Sequence, residues 1–173
     1  MEYYCIMVET GGELEFKKNA TDALKAYFPS AQFFYFERTL RTNKGIKYDA
    51  PMFPGYVFLQ IDSLSADFLS ALRRVKGFYR ILRDNLDPTK FQGASLAELE
   101  AFIQKGERWG FSKVEFESGK PIKVISGPLA GLEGKIYKIN KKKKRITIIS
   151  SIFPDKRFDL MYEDIALSSP AAQ

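Results

Sequence analysis

Residues 51–61, Pro-Met-Phe-Pro-Gly-Tyr-Val-Phe-Leu-Gln-Ile, constrain the fold more than any other stretch of the chain. Pro51 and Pro54 each fix φ and bias the residue before them toward extended backbone. Gly55 then allows the chain to turn, or to approach a neighbouring segment closely. The pattern predicts a stiff corner that leads directly into a β-strand.

The strand after this corner, residues 56–61, is apolar or aromatic at every position except Gln60. Because it lacks the alternation of a strand with one wet face, we expect it to be buried on both faces and central in a sheet. Two interpretations of the corner's aromatic residues stay open. Phe53 and Tyr56 either belong to the core, or stay partly exposed at the rim of the strand as an aromatic docking surface.

The composition of the 173-residue chain argues against catalysis and metal binding. The chain contains no histidine and one cysteine, Cys5, so the commonest general base and the ordinary zinc ligand sets are missing. The other titratable residues form no recognisable catalytic constellation. We therefore predict a protein that is not an enzyme and has no cofactor. With no stretch near the roughly 20 apolar residues of a membrane span and no signal-peptide pattern, we expect it to be cytoplasmic.

The net charge of +6 is unevenly distributed along the chain. Residues 1–110 hold 15 Lys and Arg against 14 Asp and Glu, whereas residues 111–173 hold 12 against 7, a balance of +5. The basic character therefore belongs to the second part of the chain. Such an asymmetry suggests that this part meets phosphate, although solvated lysines also produce mild excesses of this kind.

The first part of the chain alternates strand-like and helix-like patterns. Strands are predicted at residues 3–8, 32–37, 56–61 and 78–82, and helices at residues 13–28, 65–74 and 95–105. This order predicts an α+β fold, in which a four-stranded, mainly antiparallel sheet carries helices on one face. Residues 38–50 fit a protruding hairpin around an Asn43-Lys44-Gly45 turn. Its basic residues mark either a solvated loop or a basic finger near nucleic acid.

From residue 120 onward the pattern consists of short strands alone. They are predicted at residues 121–125, 135–139, 146–151 and 158–161, separated by turn signals, which is typical of a small barrel. The segment before them has few apolar clusters. We therefore divide the chain into an amino-terminal domain at residues 1–106, a linker at 107–119, an all-β domain at 120–168 and a frayed tail at 169–173.

A run of cations, Lys141-Lys-Lys-Lys-Arg145, lies between two of the predicted strands, and residues 134–157 hold nine cations and one acid. Such a hairpin tip either protects strand edges and aids solubility, or contacts the phosphates of RNA. We favour the second interpretation. Tyr137 and Phe153 are suited to stack on unpaired bases, while a structured RNA hairpin recognised by shape is equally open. The predicted RNA-binding residues are Lys135, Lys138, Lys141, Lys142, Lys143, Lys144, Arg145, Lys156 and Arg157.

Two motifs resemble those of the NusG family of transcription elongation factors. Phe53-Pro-Gly-Tyr56, followed by an apolar strand, is similar to the signature of the family's amino-terminal (NGN) domain. Ile125-Ser-Gly-Pro-Leu-Ala-Gly-Leu-Glu-Gly-Lys-Ile136 resembles the KOW motif of its carboxy-terminal domain. The order and spacing of the two motifs agree with the family over nearly the whole chain. The resemblance implies an NGN domain followed by a small SH3-like KOW barrel.

In the NusG family the NGN domain binds the clamp helices of the largest subunit of RNA polymerase. Carried over by motif, the polymerase-binding positions would be Met7, Phe53, Pro54, Gly55, Tyr56, Phe58 and Ile81. We expect Phe53 and Tyr56 to be the anchors, because rigid aromatic side chains in a desolvated patch grip a helix tip best. For Phe58 and Ile81 a plain core position is at least as compatible with the sequence.

One loop departs from the pattern of housekeeping members of the family. They carry phenylalanines after the Gly-Pro of the KOW motif, for contact with termination factor Rho or a ribosomal protein, whereas this chain has Leu129 and Leu132. We therefore do not expect those contacts. The loss and the lysine run suggest a specialised bacterial antitermination factor similar to LoaP or RfaH. RfaH-like members hold the KOW domain as helices, but residues 146–153 are so β-branched that we predict strands here.

The resemblance thus implies a factor that binds RNA polymerase, suppresses pausing or termination, and contacts nascent RNA such as a leader hairpin through its KOW domain. Two alternatives remain. One is a housekeeping NusG-type factor that couples polymerase to Rho or to the ribosome. The other is a ribosome-associated KOW protein, which the Phe53-Pro-Gly-Tyr56 motif argues against.

Overall fold

A computed structural model describes residues 1–82 and 88–165 of the chain. The predicted tail at residues 169–173 lies outside the described residues. The chain forms two compact units. The first consists of Met1–Phe36 and Phe53–Glu107, and the second of Glu37–Met52 and the described residues from Arg108 onward.

The first unit is built on a four-stranded sheet. Its strands are β1 (Glu2–Val8), β2 (Gln32–Phe34), β5 (Tyr56–Ile61) and β6 (Phe78–Ile81), in the order β2-β5-β1-β6. All three neighbouring pairs are antiparallel. The prediction of a central strand after the proline corner is confirmed, since β5 pairs with β2 on one side and β1 on the other.

Both faces of this sheet are covered by helices. Helices α1 (Glu13–Leu24) and α2 (Ala66–Leu72) pack on one face, where Phe16 and Phe68 join Val57 and Leu59 of β5 in one buried cluster. The predicted packing of helices on one face of the sheet is confirmed for α1 and α2. A third helix, α3 (Gly93–Lys105), lies on the opposite face, where the ring of its buried Phe102 contacts the rings of Phe36 and Phe53.

The second unit contains two sheets. Strands β3 (Glu37–Arg41), β4 (Lys47–Pro51) and β7 (Arg108–Trp109) form one, in the order β4-β3-β7. The other has the order β10-β11-β12-β8-β9 and consists of β8 (Ser112–Glu115), β9 (Lys123–Ser126), β10 (Ile136–Asn140), β11 (Arg145–Ile149) and β12 (Arg157–Asp164). The predicted α+β class with an all-β carboxy-terminal part is confirmed.

The second unit includes two segments that the sequence pattern did not assign to it. The predicted hairpin is present as β3 and β4, and it belongs to this unit because β3 pairs with β7. Residues 108–115, within the predicted linker, form β7 and β8, and Trp109 of β7 packs its ring against Phe158. The pattern missed these strands because each is very short, so its one or two buried side chains give no periodic signal. Within the described residues, no helix is long and apolar enough to cross a membrane.

Candidate functional site

The proline corner is a tight turn at the start of β5. The carbonyl oxygen of Phe53 accepts a hydrogen bond of 3.2 Å from the Tyr56 amide, which closes a four-residue turn. Gly55, at the third position, has a φ of +85°. A proline at the second position of the turn and a positive φ at the third are typical of a type II turn. A side chain at Gly55 would place its Cβ 3.2 Å from the Thr10 hydroxyl oxygen, so both conformation and space favour glycine here.

A buried carboxylate holds the turn in place. Glu13, the first residue of α1, is only 3% exposed, and its Oε1 accepts a hydrogen bond of 2.7 Å from the Gly55 amide. Its Oε2 accepts another, of 3.0 Å, from the Gly11 amide. The Gly55 carbonyl in turn accepts one of 2.9 Å from the Val8 amide. In the sequence, Glu13 is simply an acidic residue near the amino end of a predicted helix, a position that the helix dipole favours. Its partner 42 residues away gave no local signal.

Two of the predicted polymerase-binding residues lie side by side across the sheet. Met7 of β1 is directly opposite Tyr56 of β5, and on its other side opposite Arg80 of β6. Met7 and Tyr56 are half-buried, whereas Arg80 and the neighbouring Pro54 are exposed. These four residues, which we call the corner surface, combine a polarisable, an aromatic and a cationic side chain at the proline corner.

Of the two interpretations that the sequence left open for Phe53, the structure agrees with a position in the core and not with partial exposure. Phe53 is 4% exposed, because its ring stacks on Phe102 of α3, with centroids 6.2 Å apart, and meets Phe58 edge-on at 5.7 Å. Phe58 is also buried, which agrees with the core alternative. Both rings are therefore buried and are not part of the corner surface.

Ile81 is separated from the other predicted positions. It pairs with Ile6 and belongs to the core cluster beneath α1 and α2. Since alternate residues of a strand face opposite sides of a sheet, Ile6 and Met7 face opposite sides, and Ile81 points away from the corner surface. Ile81 is fully buried there, as the core alternative predicted.

The lysine run forms the turn between β10 and β11, as predicted. Residues 141–144, which we call the lysine turn, adopt turn backbone, and the Asn140 side chain accepts a hydrogen bond of 3.0 Å from the Lys143 amide. Lys144 has a φ of +53°, which tightens the return into β11. Lys141, Lys142 and Lys143 are exposed. The turn therefore presents a dense positive charge to solvent.

The remaining predicted cations have more varied surroundings. The Arg157 guanidinium lies 3.7 Å from the centroid of the Tyr137 ring, and Lys138 is exposed. The Lys135 ammonium donates a hydrogen bond of 3.2 Å to the Ser151 hydroxyl. Lys156 lies over the ring of Phe153, at 5.4 Å from its centroid.

The aromatic residues near these cations differ in accessibility. Tyr137 is 54% exposed, but Phe153 is only 8% exposed, so its predicted role in stacking on bases is wrong. In the KOW-like loop, Leu129 is fully buried and Leu132 is 5% exposed. Both leucines therefore serve the core of the second unit and do not form an apolar tip.

Comparison with known proteins identifies similar chains. A family model described as "Transcription termination factor nusG" matches residues 1–100. "Transcription termination/antitermination protein NusG" of Thermus thermophilus is 24% identical, with 88% of this chain and 90% of that protein aligned. The protein of the same name from Pseudomonas aeruginosa is 29% identical over 66% of this chain, and the alignment spans only 64% of its own length.

One solved structure supports the fold. "Domain interaction in Thermotoga maritima NusG" superposes with a TM-score of 0.55 at 18% sequence identity, covering 92% of this chain and 91% of that chain. At this identity the superposition speaks for a common fold, and the family match rests on residues 1–100, which contain the proline corner, the Glu13 contact and the corner surface.

Proposed function

Because the chain belongs to the NusG family of transcription factors, we propose that it binds elongating RNA polymerase and suppresses pausing or termination. The observation that carries this proposal is the corner surface, which lies within the part of the chain that matches the family model. The factor acts by binding and not by catalysis, and we place it in the cytoplasm, where its target operates.

The polymerase contact is assigned to the corner surface. Met7 and Tyr56 provide an apolar and aromatic centre, and Arg80 beside them provides a charge for an acidic partner. The occupant is the clamp helices of the largest polymerase subunit, as the family resemblance implies. A helix tip presents an apolar stripe flanked by charges, which this combination of side chains complements.

The buried members of the predicted set have a positioning role in this proposal. Phe53 and Phe58 anchor the residues on either side of the turn in the core, since their rings contact each other and the Phe53 ring stacks on Phe102. Gly55 provides the backbone turn that brings Tyr56 to the start of β5, opposite Met7. A rigid support lowers the entropy that an interface residue loses on binding.

The nucleic-acid contact is assigned to the second unit. By sequence, residues 37–52 and 108–173 hold 17 Lys and Arg against 9 Asp and Glu, a net +8, whereas the rest of the chain holds 10 against 12. The exposed cations of the lysine turn, with Lys138 and Arg157, contact the phosphates of nascent RNA, such as a leader hairpin. Binding to polymerase raises the effective concentration of this weak contact.

The buried leucines of the KOW-like loop favour antitermination over the housekeeping alternative. Leu129 and Leu132 lie in the core of the second unit, so this loop offers no apolar tip to Rho or to a ribosomal protein. A factor without that contact retains the effect of its polymerase contact on elongation.

The experiment is an equilibrium binding titration of the full chain against purified core RNA polymerase, with Tyr56→Ala as the test variant. Loss of an interface anchor of about 2 kcal/mol or more corresponds to at least about 30-fold weaker binding. Tyr27→Ala is the matched control, since Tyr27 is 81% exposed and lies outside the corner surface. Equal affinities of the two variants, or cosedimentation with ribosomes instead of polymerase, would contradict the proposal.

A further inference from the structure

The second unit contains a basic groove between two turns that are far apart in sequence. Residues 42–46 join β3 to β4, and residues 141–144 form the lysine turn. Together they border a cavity of about 610 Å³. The cationic side chains that line it are Arg41, Lys142, Lys143, Lys144 and Arg145. We call this cavity the basic groove.

Specific contacts within the second unit hold the two turns beside each other. The Arg145 guanidinium donates a hydrogen bond of 3.5 Å to the backbone carbonyl of Arg41. The guanidinium of Arg41 and the ammonium of Lys47 lie 5.4 Å and 4.8 Å from the centroid of the Phe111 ring. Cation–π contacts of this length are attractive and orient the cation. Basic residues of the hairpin therefore hold it against Phe111 and Arg145, within the second unit.

The charge of the basic groove is poorly compensated from within the chain. Arg145 has a carboxylate partner, since Asp159 lies 3.8 Å away. In the described part of the chain, the ion pairs include none with Lys142, Lys143 or Lys144. Like charges held this close repel one another, and a bound polyanion relieves that repulsion. The groove is thus arranged for phosphate.

The size and the neutral lining of the groove define the ligand further. Thr42 and Asn43 line it beside the cations, and a hydroxyl and an amide suit the 2′-hydroxyl of a ribose. A volume of about 610 Å³ is that of a pocket for one small molecule. Such a pocket accommodates nucleotides of a single strand.

We propose that the basic groove binds an unpaired segment of RNA, with Arg41 of the β3–β4 hairpin and the lysine turn gripping the same phosphate backbone. This deepens the proposed RNA contact and rests on it. The hairpin that the sequence left open as a solvated loop or a basic finger is thereby one wall of the RNA site. An unpaired loop of a leader hairpin satisfies both the polyanionic and the single-stranded requirement.

The test measures binding of the full chain to a short mixed-sequence single-stranded RNA across a salt series. Loss of one phosphate contact reduces the slope of log K against log salt by about 0.7, which is about fivefold in affinity at 0.1 M salt. We expect this change for Arg41→Gln and a larger one for the triple change of Lys142, Lys143 and Lys144 to Gln. Arg41→Lys retains the charge and therefore the slope. Lys113→Gln, which removes an exposed cation outside the groove, is the control.

The outcomes separate this inference from the function on which it rests. If the triple variant loses binding while Arg41→Gln behaves as Lys113→Gln, the hairpin is no part of the site and the inference fails, but the proposed RNA contact stands. If the unchanged chain binds no RNA, both fail. Single-stranded DNA of the same sequence and the fully paired RNA are tested in parallel, and equal or tighter binding of either overturns the assignment to unpaired RNA.

Discussion

Removing the Glu13 carboxylate tests how the proline corner is held. In Glu13→Ala the Gly55 amide loses its 2.7 Å partner, and because Gly55 is buried, water does not replace it. A hydrogen bond to a charged group contributes about 1.5–3 kcal/mol. The Gly11 amide is exposed and regains a bond to water, so its loss adds less than about 1 kcal/mol. We expect the unfolding free energy of the first unit to fall by about 2–4 kcal/mol.

The assay is urea unfolding of the full chain followed by far-UV circular dichroism, which reports the described helices of the first unit, with Trp109 fluorescence as a probe of the second. With an m-value of about 2 kcal/mol/M, the helical transition shifts by about 1–2 M urea. Glu15→Ala is the control, since Glu15 is an exposed acid in the same first helical turn and shares only the helix-dipole term of about 0.3–1 kcal/mol. Equal shifts for the two variants would refute the contact-based reasoning.

Three further predictions concern the first unit and the hairpin. Gly55→Ala destabilises more than Gly45→Ala in thermal unfolding, because both glycines have a φ near +85° but only Gly55 has an atom within 4 Å of the added Cβ. Phe102→Ala costs about 3–5 kcal/mol and uncovers Phe53, seen as increased binding of a hydrophobic dye. Burial raises the pKa of the Tyr4 hydroxyl from 10.0 to about 12, and so does the Glu2 carboxylate, which accepts a hydrogen bond from that hydroxyl. The neutral Tyr4 side chain contributes its full share to the free energy of unfolding below pH 10, and that contribution is lost as the pH rises to 12. The difference in unfolding free energy between the unchanged chain and Tyr4→Phe therefore shrinks between pH 10 and 12.

Local chemistry made several elements of both units predictable. Strand β5 has the bounds that its apolar run indicated, Tyr56–Ile61. Helix α2 begins after Ser65, within the predicted helical stretch, and the Ser65 hydroxyl oxygen accepts a hydrogen bond of 3.1 Å from the Phe68 amide, which is the usual contact of a serine at a helix N-cap. The lysine turn also lies between two strands, as the strand-like runs on either side of it predicted. In each case the residues that predict the element lie within the element or directly beside it.

The features that the sequence did not predict depend on distant contacts. The burial of Phe53 follows from α3, whose position across the sheet no pattern near Phe53 encodes. The contact of Arg145 with Arg41 spans 104 residues. Such contacts are set by the packing of whole elements, which composition and periodicity do not record. These distant contacts nevertheless determine which predicted site residues are accessible, and they place the hairpin beside the lysine turn in the basic groove.

The most direct test of the central claim is single-round transcription by purified bacterial RNA polymerase on a template with a pause site followed by a terminator. The account predicts that the full chain shortens the pause and increases terminator read-through, that Tyr56→Ala loses both effects, and that Tyr27→Ala retains them. Unchanged pausing and read-through in the presence of a chain that binds the polymerase would contradict the account. A Rho-dependent increase in termination would instead establish the housekeeping alternative.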